Sequence, residues 1–251
     1  MTEHIILAEG VNKNFAAITA AKDIDVAVPH GAVWSLIGSN GAGKTTFVNM
    51  VTGYIKPDSG RILFDGKDIT GVQPRLISRI GVCRSFQIPQ LCAELSVLEN
   101  MLIALAVHAK RPPSFLAPAQ SAANTDRAMT ELEKFKLADL RDNRISEISS
   151  GSRKLLDIAM AIGGRPKVVL LDEPTSGVAA SEKYPIMDLV MQVLTDEQVT
   201  ILFIEHDMDI VARYSQRIVA FYDGEIIAND TPQNALANES VQRYVTGKIR
   251  S

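Results

Sequence analysis

The stretch Gly38-Ser39-Asn40-Gly41-Ala42-Gly43-Lys44-Thr45-Thr46 decides the fold. It matches the pattern G-x-x-x-x-G-K-[ST], a phosphate-binding loop. Glycines let the backbone curl, so that successive N–H groups point inward at phosphate oxygens. Lys44 sets a positive charge against the β- and γ-phosphates, and Thr45 offers a hydroxyl to Mg²⁺. The helix starting near Lys44 adds the positive end of its dipole. The flanks agree with this reading. An apolar strand from Val33 to Ile37 enters the loop, and a helical pattern from Lys44 to Thr52 leaves it. The expected ligand is ATP or GTP.

Working outward, apolar runs with β-branched residues recur along the chain. Arg61 to Phe64, Val168 to Leu171, Thr200 to Ile204 and Arg217 to Phe221 read as strands. Helical patterns lie between them: Val97 to His108, Thr125 to Lys136, Ser152 to Ile162 and Tyr184 to Leu194. Strands alternating with helices indicate an α/β fold with a mainly parallel sheet. From Glu94 to Ile162 that rhythm breaks into a helix-rich stretch, read as a helical insertion in the α/β core. Within it, Lys110 to Ser121 carries Pro112, Pro113 and Pro118 and reads as a surface loop. Thr231 to Tyr244 reads as one or two short helices. The expected division is one domain over 1–251. Residues 1–93 and 163–230 form its core, 94–162 an inserted helical subdomain and 231–251 a helical tail.

Composition narrows the class. The 251 residues carry 26 Lys+Arg against 29 Asp+Glu, net −3, with 46% hydrophobic and 22% charged residues. Those values exclude disorder and collagen-like structure. The mild acidity argues against a dedicated nucleic-acid binder. The best membrane candidate, Leu98 to Val107, is short and contains Glu99 and Asn100. The start, Met1-Thr2-Glu3-His4, has no signal-peptide character, and Cys83 and Cys92 form no metal-type pair. A compact cytosolic protein is expected.

Two further strand ends carry chemistry. Val168 to Leu171 runs into Asp172-Glu173, at the kind of sheet edge where ligands gather. Asp172 can hold Mg²⁺, and Glu173 can take a proton from an attacking water. The strand ending at Ile204 runs into Glu205-His206-Asp207, where a histidine can reach the γ-phosphate. Gln87 follows a strand-like run from Val82 to Phe86, and its amide can reach the metal or the attacking water. His4, His30 and His108 read as surface or packing residues.

Taken together, these motifs resemble the ATP-binding subunits of ABC transporters, from Phe15 to Gly247. The phosphate loop, Gln87, Asp172-Glu173 and His206 fall in that family's order. Its distinguishing motif, Leu-Ser-Gly-Gly-Gln, is matched by Ile148-Ser149-Ser150-Gly151-Ser152, which keeps Ser149 and Gly151 but replaces a glycine and the glutamine. A serine hydroxyl and a glycine N–H at a helix start form an anion site. The resemblance implies that Ser149 and Gly151 clamp the γ-phosphate held by an opposite subunit. After the acidic pair this chain has Gly177-Val178-Ala179, where the family commonly has a polar end; the loss implies weaker or unequal coupling between two ATP sites. Phe15 matches the family's adenine-stacking aromatic, a role that needs only a flat apolar face.

The resemblance therefore implies a phosphate-loop NTPase (RecA-like) core, with an N-terminal antiparallel β portion and the helical subdomain inserted. It implies ATP and Mg²⁺ as cofactors, with Thr45, Gln87 and Asp172 toward the metal. It implies catalytic roles for Glu173, His206 and Gln87. The partners implied are a second ATPase subunit, identical or paralogous, in a head-to-tail dimer, two transmembrane permeases and, indirectly, a solute-binding protein. No nucleic acid is implied, and the location is the cytoplasmic face of the plasma membrane. Gly53-Tyr54, Arg84-Ser85-Phe86-Gln87, Glu205-His206-Asp207-Met208 and the ending Val241 to Gly247 are similar to the branched-chain amino-acid and amide/urea uptake group, larger ATPase subunit. The alternatives are a non-transport ABC ATPase or a lipopolysaccharide-exporter ATPase. A phosphate-loop kinase would leave Ser149/Gly151 and the Asp172-Glu173 and His206 series unexplained.

Overall fold

A computed structural model describes residues 3–85, 90–108 and 121–247. Two long strands open the chain, β1 (His4–Phe15) and β2 (Ile18–Pro29), followed by β3 (Val33–Gly38) and α1 (Lys44–Val51). Next come β4 (Ser59–Phe64), β5 (Lys67–Asp68), α2 (Pro74–Ile80) and β6 (Val82–Ser85). The helices α3 (Val97–His108), α4 (Ala122–Lys134) and α5 (Ser150–Ile162) precede β7 (Val168–Asp172) and α6 (Lys183–Asp196). The chain ends with β8 (Thr200–Ile204), α7 (Met208–Tyr214), β9 (Arg217–Tyr222), β10 (Glu225–Asp230), α8 (Pro232–Ala237) and α9 (Glu239–Tyr244).

Two sheets result. The first is antiparallel, in the order β2-β1-β4-β5. The second runs β10-β9-β3-β8-β7-β6, with parallel pairing everywhere except at the β9–β10 edge. The parallel strands are buried on both faces, which is why they read as unbroken apolar runs. Their side chains alternate between two cores. Val169, Leu171, Ile201 and Phe203 pack with the helices α3 to α6. Val168, Leu170, Leu202 and Ile204 pack with the antiparallel sheet and α1. Each fully buried side chain of this size contributes about 1.5–3 kcal/mol. A one-residue slip of any strand would exchange its partners in both cores.

Between β6 and β7 the described residues form helices and one isolated bridge, Ser96 to Arg144. Leu95, Val97 and Leu98 are tied by backbone bonds to Ile145, Asn143 and Arg141, so this segment closes on itself. Most expected boundaries agree with the structure within a residue or two. At α4, which begins at Ala122, the start comes three residues before Thr125, because Ser121 caps the helix by accepting from the Asn124 N–H at 3.3 Å. The sequence reading did not resolve α2 and α7 or the edge strand β10. Among the described residues no helix is long and apolar enough to cross a membrane. Cys83 is buried and Cys92 exposed, both as free thiols.

Candidate functional site

The phosphate loop leaves β3 in the middle of the parallel sheet, between β9 and β8. Two glycines are required by the fold around it. Gly43 has a φ of 108°, and a Cβ there would lie 2.6 Å from the Ala20 carbonyl of β2. Gly38 has a φ of 152°, and a Cβ there would lie 2.5 Å from the Phe221 carbonyl of β9. The Gly224 N–H donates to the Ala42 carbonyl at 3.1 Å, and the Lys22 N–H donates to Gly224 at 2.8 Å. The loop is thus held by both sheets.

Lys44 opens α1 and folds back into the loop. Its ammonium donates to the carbonyls of Gly38 at 2.7 Å and Ser39 at 2.9 Å. It is 5% exposed. Burial pushes its pKa below the ordinary lysine value, against the opposing pull of Glu173 and Asp172. A cavity of about 560 Å³ opens over the loop, lined by Asn40, Gly41, Ala42, Gly43, Lys44, Thr45 and Thr46 together with Asp172, Glu173, Ile204 and His206.

Asp172 and Glu173 arrive at the end of β7, and His206 arrives just past the adjacent β8. The last register pair of these strands is Asp172 with Ile204. One residue on, the Glu173 N–H donates to the Ile204 carbonyl at 3.0 Å. Glu173 takes a φ of 48°, a conformation that costs a non-glycine residue about 1–2 kcal/mol. Strain of this kind gathers where geometry serves function. The outcome is a contact of 3.2 Å between His206 Nε2 and Glu173 Oε1. Asp172 is 8% exposed, and Arg84 of β6 pairs with its Oδ2. Arg84 also donates to Asn49 Oδ1 at 2.6 Å.

The structure brings Asn40 to Thr46, Asp172, Glu173 and His206 to one cavity, with Gly38 and Ser39 bonded to Lys44 behind it. Phe15, Ser149 and Gly151 do not line this cavity. Phe15 ends β1, 45% exposed, with the Lys13 ammonium 5.5 Å from its ring centre. Ser149 caps α5, accepting from the Ser152 N–H at 3.1 Å, and the two hydroxyls lie 3.0 Å apart. Gly151 is buried, and a Cβ there would meet Ile186 Cδ1 at 2.8 Å. Gln87 lies outside the described residues.

Three residues with no role assigned from sequence lie against the site: Arg84, Glu205 and Lys154. Lys154 is 2% exposed and bonds the Asp172 carbonyl at 3.3 Å. Burial lowers its pKa, opposed by Asp157, Asp172, Glu205 and Glu173. Its sequence signal is a lysine set among the buried residues of α5, one turn from Gly151 and Ile158. The donor set fits the expected ligands. Thr45 and Asp172 offer the oxygen atoms that Mg²⁺ prefers, and Lys44 with the curled loop offers cation and amide to phosphate.

Comparison with known proteins agrees with this geometry. Residues 21–176 match the ABC transporter family model. A probable branched-chain amino acid transport ATP-binding protein LivG of Methanocaldococcus jannaschii is 35% identical over 94% of this chain and 93% of its own length. The high-affinity branched-chain amino acid transport ATP-binding protein LivG of Escherichia coli K12 is 34% identical, over 99% of this chain and its whole length. Among solved structures, the ADP conformation of an ATP-binding cassette of an ABC transporter superposes with a TM-score of 0.86, at 33% identity, covering 96% of this chain and 98% of that one. A loop built for a nucleotide, an acid–histidine contact above it and likeness along nearly the full length converge: the chain belongs to the ABC transporter family, among the ATP-binding subunits that hydrolyse ATP.

Proposed function

We propose that this chain powers the uptake of branched-chain amino acids or related small polar solutes, as a peripheral subunit on the cytoplasmic face of the plasma membrane. The solute class rests on the M. jannaschii and E. coli relatives, which are branched-chain amino acid transport ATP-binding proteins. The catalytic reading rests on one observation, the 3.2 Å contact of His206 with Glu173 above the Lys44 loop.

In this reading Lys44 and the N–H groups of residues 38 to 46 bind the phosphates of ATP. Thr45, Asp172 and Gln87 would hold Mg²⁺, which when bound would offset phosphate charge. Glu173 accepts the proton of the attacking water, and His206 holds Glu173 in place and reaches toward the γ-phosphate. Phe15 stacks on adenine; its exposure at the end of β1 supports this. Ser149 and Gly151 start a helix, so in a head-to-tail dimer they would present hydroxyl and N–H to the ATP of the other subunit. ATP would then join the two surfaces, and hydrolysis would release them.

Residues 94–162 are proposed as the arm that passes this motion, with the Gln87 loop, to two permeases. A second cavity, of about 180 Å³, lies beside this arm, lined by Tyr54, Pro74, Ser78, Arg84 and His108. Val107, next to His108 on α3, is 76% exposed. Ile103, one turn earlier on the same helix, is 42% exposed, so the two form an apolar strip of the kind that interaction surfaces carry.

The test is reconstitution of the chain with candidate permease and solute-binding subunits from its own source. ATP-dependent accumulation of labelled leucine or valine in vesicles supports the reading. ATP hydrolysis without uptake of any branched-chain amino acid or small amide overturns the solute class.

A further inference from the structure

The contact between Glu173 and His206 spans two loops that no longer share a backbone ladder. Past Ile204 the strands diverge, one into Pro174-Thr175 and the other into Glu205-His206. Glu205 bridges them. It is 4% exposed, and both carboxylate oxygens are engaged. Oε1 accepts the Thr175 N–H at 2.9 Å and the Thr175 hydroxyl at 2.6 Å. Oε2 accepts the N–H of His206 at 3.1 Å. Thr175 is itself 3% exposed.

A carboxylate is costly to bury unless it is hydrogen-bonded and near a cation. Here the donors are two backbone amides and a hydroxyl, and the cation is the buried Lys154, which feels the charge of Glu205. The directions of these bonds matter more than their number. One oxygen is spent on the residue two places after Glu173, the other on the backbone of His206. An apolar residue of equal volume would fill the space but hold neither loop.

We propose that Glu205 is a positioning residue for ATP hydrolysis, fixing the loops so that His206 Nε2 stays at Glu173 Oε1. The inference rests on the roles given to Glu173 and His206 above. Glu205 is not itself placed against the reacting atoms, since it does not line the cavity over the phosphate loop. Its loss should therefore act on turnover and spare binding. Misplacement of a reacting group by about 1 Å can lower rate about 100-fold.

The experiment measures steady-state ATP hydrolysis by the full chain, with affinity for a fluorescent ATP analogue measured separately. Glu205→Ala should lower kcat about 100-fold, with KM and analogue affinity within about twofold of wild type. Glu205→Gln keeps an acceptor for Thr175 and should retain more turnover than the alanine variant. Thr175→Val should lower kcat on its own, yet add nothing on top of Glu205→Ala. A purely structural role predicts instead that affinity falls in step with turnover. That result, or a Glu205→Ala kcat within about threefold of wild type, overturns the proposal. If Glu205→Ala does not fold, unchanged turnover in both Glu205→Gln and Thr175→Val overturns it, and reduced kcat at unchanged affinity in both supports it. Glu173→Gln and His206→Ala are assayed alongside. Wild-type turnover in these two would sink the underlying catalytic reading. Their loss with unaffected Glu205 variants would sink only the positioning role.

Discussion

The guanidinium of Arg84 is paired with the carboxylate of Asp172, joining neighbouring parallel strands beneath the nucleotide cavity. The side chains are only 10% and 11% exposed. Asn49 on α1 holds the same guanidinium from the other side. Asp172 therefore does not choose among rotamers; its orientation is set by the strand beside it. Removing one partner of a buried ion pair leaves an uncompensated charge, at a cost of about 3–5 kcal/mol. Arg84→Met should lower the stability of the chain by about 3 kcal/mol in urea unfolding. Combined with Asp172→Asn, the loss should be clearly less than the sum of the two single losses.

Lys44 supplies the loop with both charge and scaffold, through its bonds to Gly38 and Ser39. A hydrogen bond to a charged group is worth about 1.5–3 kcal/mol. Lys44→Ala should weaken nucleotide affinity about 10- to 100-fold in a fluorescent-nucleotide titration. Unchanged affinity would contradict the phosphate-loop assignment.

Glu173→Gln keeps the volume and the hydrogen-bonding reach toward His206 but cannot take a proton. Nucleotide affinity should stay within about twofold, and turnover should fall about 100- to 10,000-fold. Wild-type turnover in a coupled ATPase assay would remove Glu173 as general base.

Ser149 and Ser152 place two hydroxyls at the start of α5, where the family pattern has serine and glutamine. Ser149→Arg should leave nucleotide binding by the monomer intact and abolish ATP-driven dimerisation. Gel filtration in the Glu173→Gln background reads this directly. A dimer that still forms with ATP would dismiss the clamp.

His108 bonds the Met160 carbonyl at 3.2 Å from a half-buried position on α3. Burial is the main cause lowering its pKa below the ordinary 6.5, helped by the nearby Arg127 charge and opposed by the Met160 bond. The unfolded chain then binds the proton more readily than the folded one. Stability is therefore full above about pH 6.5 and drains away as pH falls below it. His108→Gln should flatten that slope between pH 7 and 5.5 in thermal unfolding. Parallel slopes for variant and wild type would assign the acid sensitivity elsewhere.

Much of this was legible in the sequence, for identifiable reasons. The strands β3, β7 and β8 are covered on both faces, so they appear as apolar runs that end at their functional residues. The helix α3 was read to the residue because its apolar content is high from Val97 onward. The long strands β1 and β2 are covered unevenly, and repeated register shifts break their alternation. The helix α2 buries one residue, Ile77, which leaves no stripe to detect. Residues 40–46, Asp172, Glu173 and His206, read from their spacing along the chain, line one cavity. Arg84, Lys154 and Glu205 act across strands or between a helix and a strand, and no spacing within one element encodes that.

The seating of the phosphate loop against Ala20 and Gly224 bears on how variants of this chain would be read in a genetic screen. A bulky substitution at Gly224 or a shift of β2 would distort the loop while leaving every residue of the nucleotide motif intact. Such alleles would be scored as nucleotide-binding mutants, although they map to a hairpin turn and to an N-terminal strand. For this protein, the gene's most informative missense map would have peaks far outside the motif, wherever the two sheets hold the loop.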